Sequence, residues 1–187
     1  MKFTLRFFLM FICSAFSIAA FSEEAQSYND FVKGKDHQQG YFSFFHDKKT
    51  GKIFVEINEF EQEFLFLSGL PHGIGSNDIG LDRGQLGATR VVQFEKVGEK
   101  VFLRQLNTDY RAETDNKLEK QAVNEAFASS IIWGFKVAKE SKDGKKVLID
   151  YTPFLLSDIH QLSSKLKKRK QGNFSIDLSR SGIYAKR

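Results

Sequence analysis

Short apolar runs that come in pairs, each pair joined by turn-forming residues, limit what this chain folds into. The first pair spans residues 41–46 and 52–57, and Ile53, Val55 and Ile57 alternate with other side chains in the second run. Alternation with a period of two is typical of a β-strand with two different faces. The residues between the runs end in a glycine, which suits a tight turn. This segment therefore predicts an antiparallel hairpin.

Two more hairpins follow the same pattern. Residues 88–106 turn at Gly98, and residues 129–152 turn at an Asp-Gly pair, which favours tight hairpin turns. The apolar run at residues 63–69 predicts a further strand that is more buried than the others. The sequence thus indicates about seven strands, mostly in antiparallel hairpins.

The sequence changes to a helical period after the second hairpin. Leu118, Ala122 and Ala126 recur every four positions, which places them on one stripe of an amphipathic helix. Asp115 or Asn116 precedes this stripe and is a suitable N-cap. We therefore predict an amphipathic helix after the second hairpin.

A second amphipathic helix is predicted near the end of the chain. Leu155, Ile159, Leu162 and Leu166 form its apolar stripe, with Asp158 early in the helix and a cluster of lysines and an arginine late. This order of charges suits the helix dipole. The strands and helices together predict an α+β domain of mostly antiparallel β-hairpins with two amphipathic helices.

The first 22 residues have the layout of a secretory signal peptide. Lys2 and Arg6 precede an almost wholly apolar run at residues 7–21, and small residues follow it. This run is shorter than the roughly 20 residues of a membrane span. We therefore expect cleavage with no membrane span afterwards, and an uncleaved anchor is the alternative. The mature chain is then secreted or located in the periplasm or cell envelope, and it has no cysteine because Cys13 is removed.

These patterns divide the chain into three parts. Residues 1–22 form the signal peptide, residues 23–39 are polar and predict a loose lead-in, and residues 40–187 form a single α+β domain. A domain of this size buries a sizeable core without disulfides.

Basic residues are concentrated in one cluster. Without Lys2 and Arg6 the chain has 26 basic and 23 acidic residues, and five of the basic residues lie within residues 165–170. A nucleic-acid-binding domain spreads lysine and arginine over a face, so no nucleic-acid partner is expected. The cluster predicts a solvated helix end. The alternative is contact with an anionic envelope surface or an acidic partner through Lys167, Lys168 and Arg169.

Residues 69–87 hold six glycines and follow an apolar run, a setting in which phosphate-binding loops occur. However, Asp78 stands where G-x-G-x-x-G needs its third glycine, and Leu81 stands where a P-loop needs its lysine. The loop therefore predicts no nucleotide site. Its length favours an interaction role, and its candidate contact residues are His72, Asn77, Asp78, Asp82 and Arg83.

No pattern in the sequence predicts catalysis or metal binding. The four histidines lack the H-E-x-x-H spacing, and G-x-S-x-G is absent. Asp150 and Asp158 could act as an acid/base pair, but a carboxylate is expected at the start of a helix for structural reasons. We therefore predict no catalytic residue, no metal ligand and no cofactor in this chain.

Four segments occur in an order that resembles a known family. They are GIGSNDIGLDRGQLGATRVVQFEKVGEKVFLRQLNTDYRA, AVNEAFASSIIWGFKV, VLIDYTPFLLSDIH and IDLSRSGIY. Together they resemble the N-terminal region of large secreted bacterial zinc-dependent metalloproteases of the metzincin type. Those proteins carry a domain of uncharacterised function at this point. The resemblance covers residues 38–187.

The resemblance implies that zinc and the H-E-x-x-H motif belong to a separate domain further along a full-length protein. This chain would then be truncated before the catalytic domain and inactive by itself. It would be an accessory, scaffold or pro-segment-like domain whose partner is the metalloprotease domain. The alternative is a free-standing periplasmic or envelope binding module that uses the glycine-rich loop and the basic helix end. A third possibility is a remnant without function.

Overall fold

The computed structural model describes residues 27–72, 80–184 and 186. The predicted signal peptide lies outside these residues. The described strands are β1 (Asp36–Gln38), β2 (Phe44–Asp47), β3 (Lys52–Ile57), β4 (Phe64–Phe66), β5 (Arg90–Val97), β6 (Lys100–Gln105), β7 (Ser130–Glu140) and β8 (Val147–Asp150). The described helices are α1 (Tyr28–Val32), α2 (Lys117–Ala126), α3 (Thr152–Leu155) and α4 (Leu162–Lys168), with a 3₁₀ turn at Leu178–Arg180.

The eight strands form one sheet in the order β1-β2-β3-β8-β7-β6-β5-β4, and each neighbouring pair is antiparallel. The fold is therefore mostly antiparallel β with a few helices, which is compatible with the predicted α+β class. The three predicted hairpins are confirmed. Strand β8 pairs with β3, which lies about 90 residues earlier in the chain, and this pairing connects the first hairpin to the third.

The sheet bends at its longest strand, β7. Its first part pairs with β6, where Lys136 lies opposite Lys100, and its last part pairs with β8, where Val137 lies opposite Ile149. Both pairings contain a register shift. Such irregularities increase local twist and bend a strand. The sheet is therefore curved, with one face on the inside.

The curled sheet encloses the main core. Alternate residues of five strands are buried there together with Phe154 of α3: Ile53, Val55, Ile57, Val92, Phe94, Val101, Leu103, Phe135, Val147 and Ile149. The predicted alternation in β3 is confirmed, since Ile53, Val55 and Ile57 share this core. The rings of Phe42, which precedes β2, and Phe94 of β5 have centroids only 5.3 Å apart, so distant parts of the chain meet in this core.

The predicted loose lead-in at residues 23–39 is wrong for its described part, which forms α1 and β1. Ser27 caps α1 by accepting a hydrogen bond from the Asp30 amide at 3.2 Å. The ring of Phe31 packs edge-on against Phe54 at 5.1 Å and covers the outer face of the sheet. The sequence did not reveal this helix, because five residues are too few to display a helical period. The β1 strand raises the strand number from the predicted seven to eight.

The single helix predicted over Leu155–Leu166 is also wrong. The structure has two short helices, α3 and α4, and Gln161 between them has a left-handed backbone with φ of 54°. The carboxylate of Asp158 accepts hydrogen bonds from the amides of Leu162 and Ser163, at 2.7 and 2.8 Å. It therefore caps α4 from outside the helix, which interrupts the helical run that the apolar spacing predicts.

Candidate interaction surfaces

Backbone pairing closes the base of the glycine-rich loop at residues 69–87. Gly69 and Leu86 form a β-bridge, and the Gly87 amide donates to the Ser68 carbonyl at 2.7 Å. These contacts extend the pairing of β4 with β5 beyond the strands themselves. Leu81, within the loop, is only 2% exposed. Leu70 is buried as well. The loop is therefore anchored by its two ends and by two buried leucines, which the sequence did not indicate.

The outer side of β4 and of the loop base carries three exposed leucines. Leu65 is 72% exposed, Leu67 is 45% exposed and Leu86 is 66% exposed. Phe64 and Phe66, which alternate with them, pack against the main core. The prediction of a more buried strand at residues 63–69 is therefore wrong, because β4 is a short edge strand with only one buried face. We call Leu65, Leu67 and Leu86 the leucine strip.

The predicted contact residues of the loop are only partly described. His72 is exposed, and its ring lies edge-on to Tyr184 with centroids 6.2 Å apart. Asp82 and Arg83 are exposed, and the Asp82 amide donates to the side chain of Gln85 at 3.2 Å. Asn77 and Asp78 lie outside the described residues.

The predicted basic contact residues lie at the end of α4. Lys167 and Lys168 occupy its last turn, Arg169 is the C-cap, and all three are exposed. None of them forms an ion pair within the described part of the chain. No described hydrogen bond or ion pair joins this helix end to the glycine-rich loop.

The two aspartates considered as an acid/base pair both have structural partners. Asp150 forms an ion pair with Lys52 at 2.9 Å. Partial burial acts to raise the pKa of Asp158, but the amides of Ser163 and Leu162 and the nearby His160 outweigh it and hold the pKa below its usual value. An ionised, hydrogen-bonded carboxylate of this kind stabilises a helix start.

Within residues 27–72, 80–184 and 186, no three His, Cys, Asp or Glu side chains are grouped as metal ligands would be. In the same residues, no helix has the length and apolar character needed to span a membrane.

The sequence reasoning missed two surfaces that depend on the fold. One is the leucine strip, which the alternation within residues 63–67 could have indicated if the strand had been recognised as an edge. The other is a polar cleft of about 470 Å³ between α2 and the outer face of the β5–β6 hairpin. No local pattern signals this cleft, since its residues come from four separate segments.

Comparison with known protein families identifies two matching regions. Residues 84–187 match Domain of unknown function (DUF5117), which is more than half of the chain. The chain belongs to the DUF5117 family. Residues 25–73 match a second description, Domain of unknown function (DUF5118). The search of curated proteins and the search of solved structures each found no match.

The DUF5117 and DUF5118 regions contribute to one sheet. Strands β1 to β4 belong to the DUF5118 region and β5 to β8 to the DUF5117 region. Because β3 pairs with β8 and β4 pairs with β5, the boundary between the two regions crosses the sheet twice. The four adjacent strands of the DUF5117 region are therefore flanked on both sides by strands of the DUF5118 region.

Proposed function

We propose that this chain is a non-catalytic accessory domain that packs against the zinc metalloprotease domain of a secreted bacterial protein. The leucine strip is the observation that carries this proposal. Edge strands of folded proteins are normally kept short or charged, which limits pairing with other chains. Here the edge strand is short, but its outward side chains are leucines, and such exposed apolar surface is typical of a contact with another domain.

The resemblance to the N-terminal region of secreted zinc metalloproteases supports the identity of this partner. The two matched families describe domains of unknown function and give no activity. Zinc and the catalytic residues would be supplied by the partner domain. The accessory domain would hold that domain in place or cover part of its cleft, as a scaffold or pro-segment does.

A binding measurement tests this proposal. The chain is mixed with the separately produced, zinc-loaded metalloprotease domain of a full-length relative, and association is measured by calorimetry. We expect Leu65→Glu with Leu86→Glu to abolish binding, because two charges would be buried at an apolar contact. Leu118→Glu, at a leucine that is 75% exposed on α2, is the matched control and should bind normally. Absence of binding by the unmodified chain would overturn the proposal.

An activity measurement tests the non-catalytic part. With zinc and casein as substrate, the chain alone should produce no turnover. Proteolysis that is removed by a chelator would contradict this expectation. N-terminal sequencing of the exported protein would test secretion, and a mature start near residue 23 is expected if residues 1–22 are a signal peptide.

A second candidate function is a binding module at an anionic surface of the cell envelope. The side chains of Lys167, Lys168 and Arg169 favour it, because they are exposed and form no ion pair among the described residues. Cations at a helix end attract anionic surfaces. Binding to vesicles that contain anionic lipid should then be weaker for the triple variant that combines Lys167→Gln, Lys168→Gln and Arg169→Gln. A control with three other exposed lysines replaced, Lys33, Lys142 and Lys145, should bind as the unmodified chain does. Equal losses in both variants would indicate an unspecific charge effect.

A further inference from the structure

The cleft between α2 and the β5–β6 hairpin has a floor of paired polar residues. Gln93 of β5 lies directly opposite Arg104 of β6, on the face away from the main core. The guanidinium of Arg104 bonds the carboxylate of Glu95 and donates to the hydroxyl of Ser129 at 2.9 Å. These bonds hold Arg104 in one orientation, so its charge is fixed at the floor.

The wall of the cleft is α2, which is held above the sheet at its C-terminal end. The rings of Tyr110 and Phe127 stack in parallel with centroids 4.0 Å apart. The side chain of Asn107 donates to the Phe127 carbonyl at 3.3 Å and accepts from the Tyr110 amide at 3.3 Å. These contacts keep the cleft open and place Lys120 and Asn124, one turn apart on α2, at its side.

The charges that line the cleft favour an anionic ligand. Arg104, Arg111 and Lys120 line it together with one carboxylate, Glu63. Arg104 is paired with Glu95, whereas Arg111 and Lys120 form no ion pair with any described residue. Two cations that no described carboxylate neutralises therefore line a volume within the range of roughly 300–1,000 Å³ for ligand pockets.

The side-chain amides in the cleft indicate which hydrogen-bonding groups the ligand has. The side chains of Gln93 and Asn124 make no hydrogen bond within the part of the chain that the structure describes. Each amide offers both a donor and an acceptor, which matches a peptide bond. A nucleic acid would be bound by a continuous basic track, and the carboxylate of Glu63 interrupts such a track here.

We propose that this cleft binds an extended peptide segment with acidic side chains. The carboxylates of the segment pair with Arg111 and Lys120, and its main chain pairs with the amides of Gln93 and Asn124. The stacked rings of Tyr110 and Phe127 close one end of the cleft. This site is separate from the leucine strip and does not depend on the accessory-domain proposal.

Fluorescence anisotropy with a labelled Gly-Glu-Glu-Glu-Glu-Gly peptide tests the proposal. We expect saturable binding that weakens with salt, and at least about tenfold weaker binding of the same peptide with glutamine in place of glutamate. Arg111→Gln with Lys120→Gln should weaken binding of the acidic peptide at least about tenfold. Both side chains are exposed, so this variant should keep the thermal midpoint of the unmodified chain.

Two control variants locate the site. Lys142→Gln with Lys145→Gln removes the same charge from the exposed β7–β8 turn and should leave binding unchanged. Lys167→Gln with Lys168→Gln removes it from α4 and should also leave binding unchanged. The proposal is overturned if either control loses as much affinity as the cleft variant, if the glutamine peptide binds equally well, or if a single-stranded oligonucleotide competes better than the acidic peptide.

Discussion

Tyr28 of α1 donates a hydrogen bond to the carboxylate of Glu56 in β3, and this contact joins the first helix to the middle of the sheet. Glu56 is only 6% exposed, and the amine of Lys146 lies 3.3 Å from it. A buried carboxylate requires such partners, because leaving it unpaired is costly. Burial, the hydrogen bond to Glu56 and the charge of Glu56 together raise the pKa of the Tyr28 phenol.

Tyr28→Phe should lower the free energy of unfolding by about 1–2 kcal/mol, because Glu56 would lose a partner while it stays buried. Urea unfolding followed by circular dichroism would measure this change. Tyr184→Phe is the matched control, since Tyr184 is exposed and its loss of a hydroxyl should change nothing. A Tyr28→Phe variant as stable as the unmodified chain would show that the contact contributes no stability.

The fold should lose stability at alkaline pH partly through Tyr151. Burial raises the pKa of this phenol, whose ring stacks on Phe135 at 4.9 Å. In the unfolded chain the phenol ionises near about pH 10. The folded chain then binds more protons above this pH, so the stability contribution is complete below about pH 10 and declines as the pH rises further.

Thermal midpoints measured against pH would check this linkage. Tyr151→Phe keeps the ring and removes the ionising group, so its midpoint should fall less steeply than that of the unmodified chain above about pH 10. The two proteins should have similar pH slopes around pH 8. Parallel slopes throughout would contradict a raised pKa for Tyr151.

Asp158→Ala should lower the free energy of unfolding at neutral pH by about 0.5–2 kcal/mol, because α4 would lose its cap. The pKa of Asp158 is lowered in the folded chain. The stabilisation is therefore present above the unfolded pKa of about 3.9 and is lost as the pH falls through the folded pKa. Urea unfolding should show the difference between the two proteins narrowing below about pH 4. Asp115→Ala, which removes no cap bond, is the control, and a difference that persists in acid would argue against the cap.

Gly87→Ala should destabilise the base of the glycine-rich loop. An added Cβ would lie 2.3 Å from the Ser68 hydroxyl and 3.2 Å from the Ser68 carbonyl oxygen. We expect a loss of about 1–3 kcal/mol, measured by thermal or urea unfolding. Adding Ser68→Ala should recover part of it, because the nearest atom is removed. Gly182→Ala, where a Cβ meets nothing within 4 Å, should be neutral, and an equal effect at both glycines would exclude this steric explanation.

The DUF5117 region should not fold without the DUF5118 region. A fragment of residues 84–187 lacks β3, so β8 loses its partner and the main core loses Ile53, Val55 and Ile57. We expect no cooperative unfolding transition from this fragment alone. Mixing it with a peptide of residues 27–72 should restore part of the sheet signal in circular dichroism. Cooperative unfolding by the isolated fragment would show that the two regions are independent.

The hairpins were predictable from the sequence because their information is local. The alternation of Ile53, Val55 and Ile57 and the positive-φ glycines Gly98 and Gly144 lie within a few residues of the strands they specify. The first amphipathic helix was predictable for the same reason, and Asn116 is its N-cap. The local pattern did not indicate how far its apolar stripe is buried, and Leu118 on that stripe is exposed.

The sequence by itself determined the hairpins, their turns and the position of α2, since side-chain period and turn chemistry act over a few residues. The tertiary structure decided which strands became neighbours, and thereby made β4 an edge with an exposed leucine strip. It also placed Arg104, Arg111 and Lys120 around one cleft and split the last helix at the Asp158 cap. These features depend on the curvature of the sheet and on burial between distant segments, which no local pattern encodes.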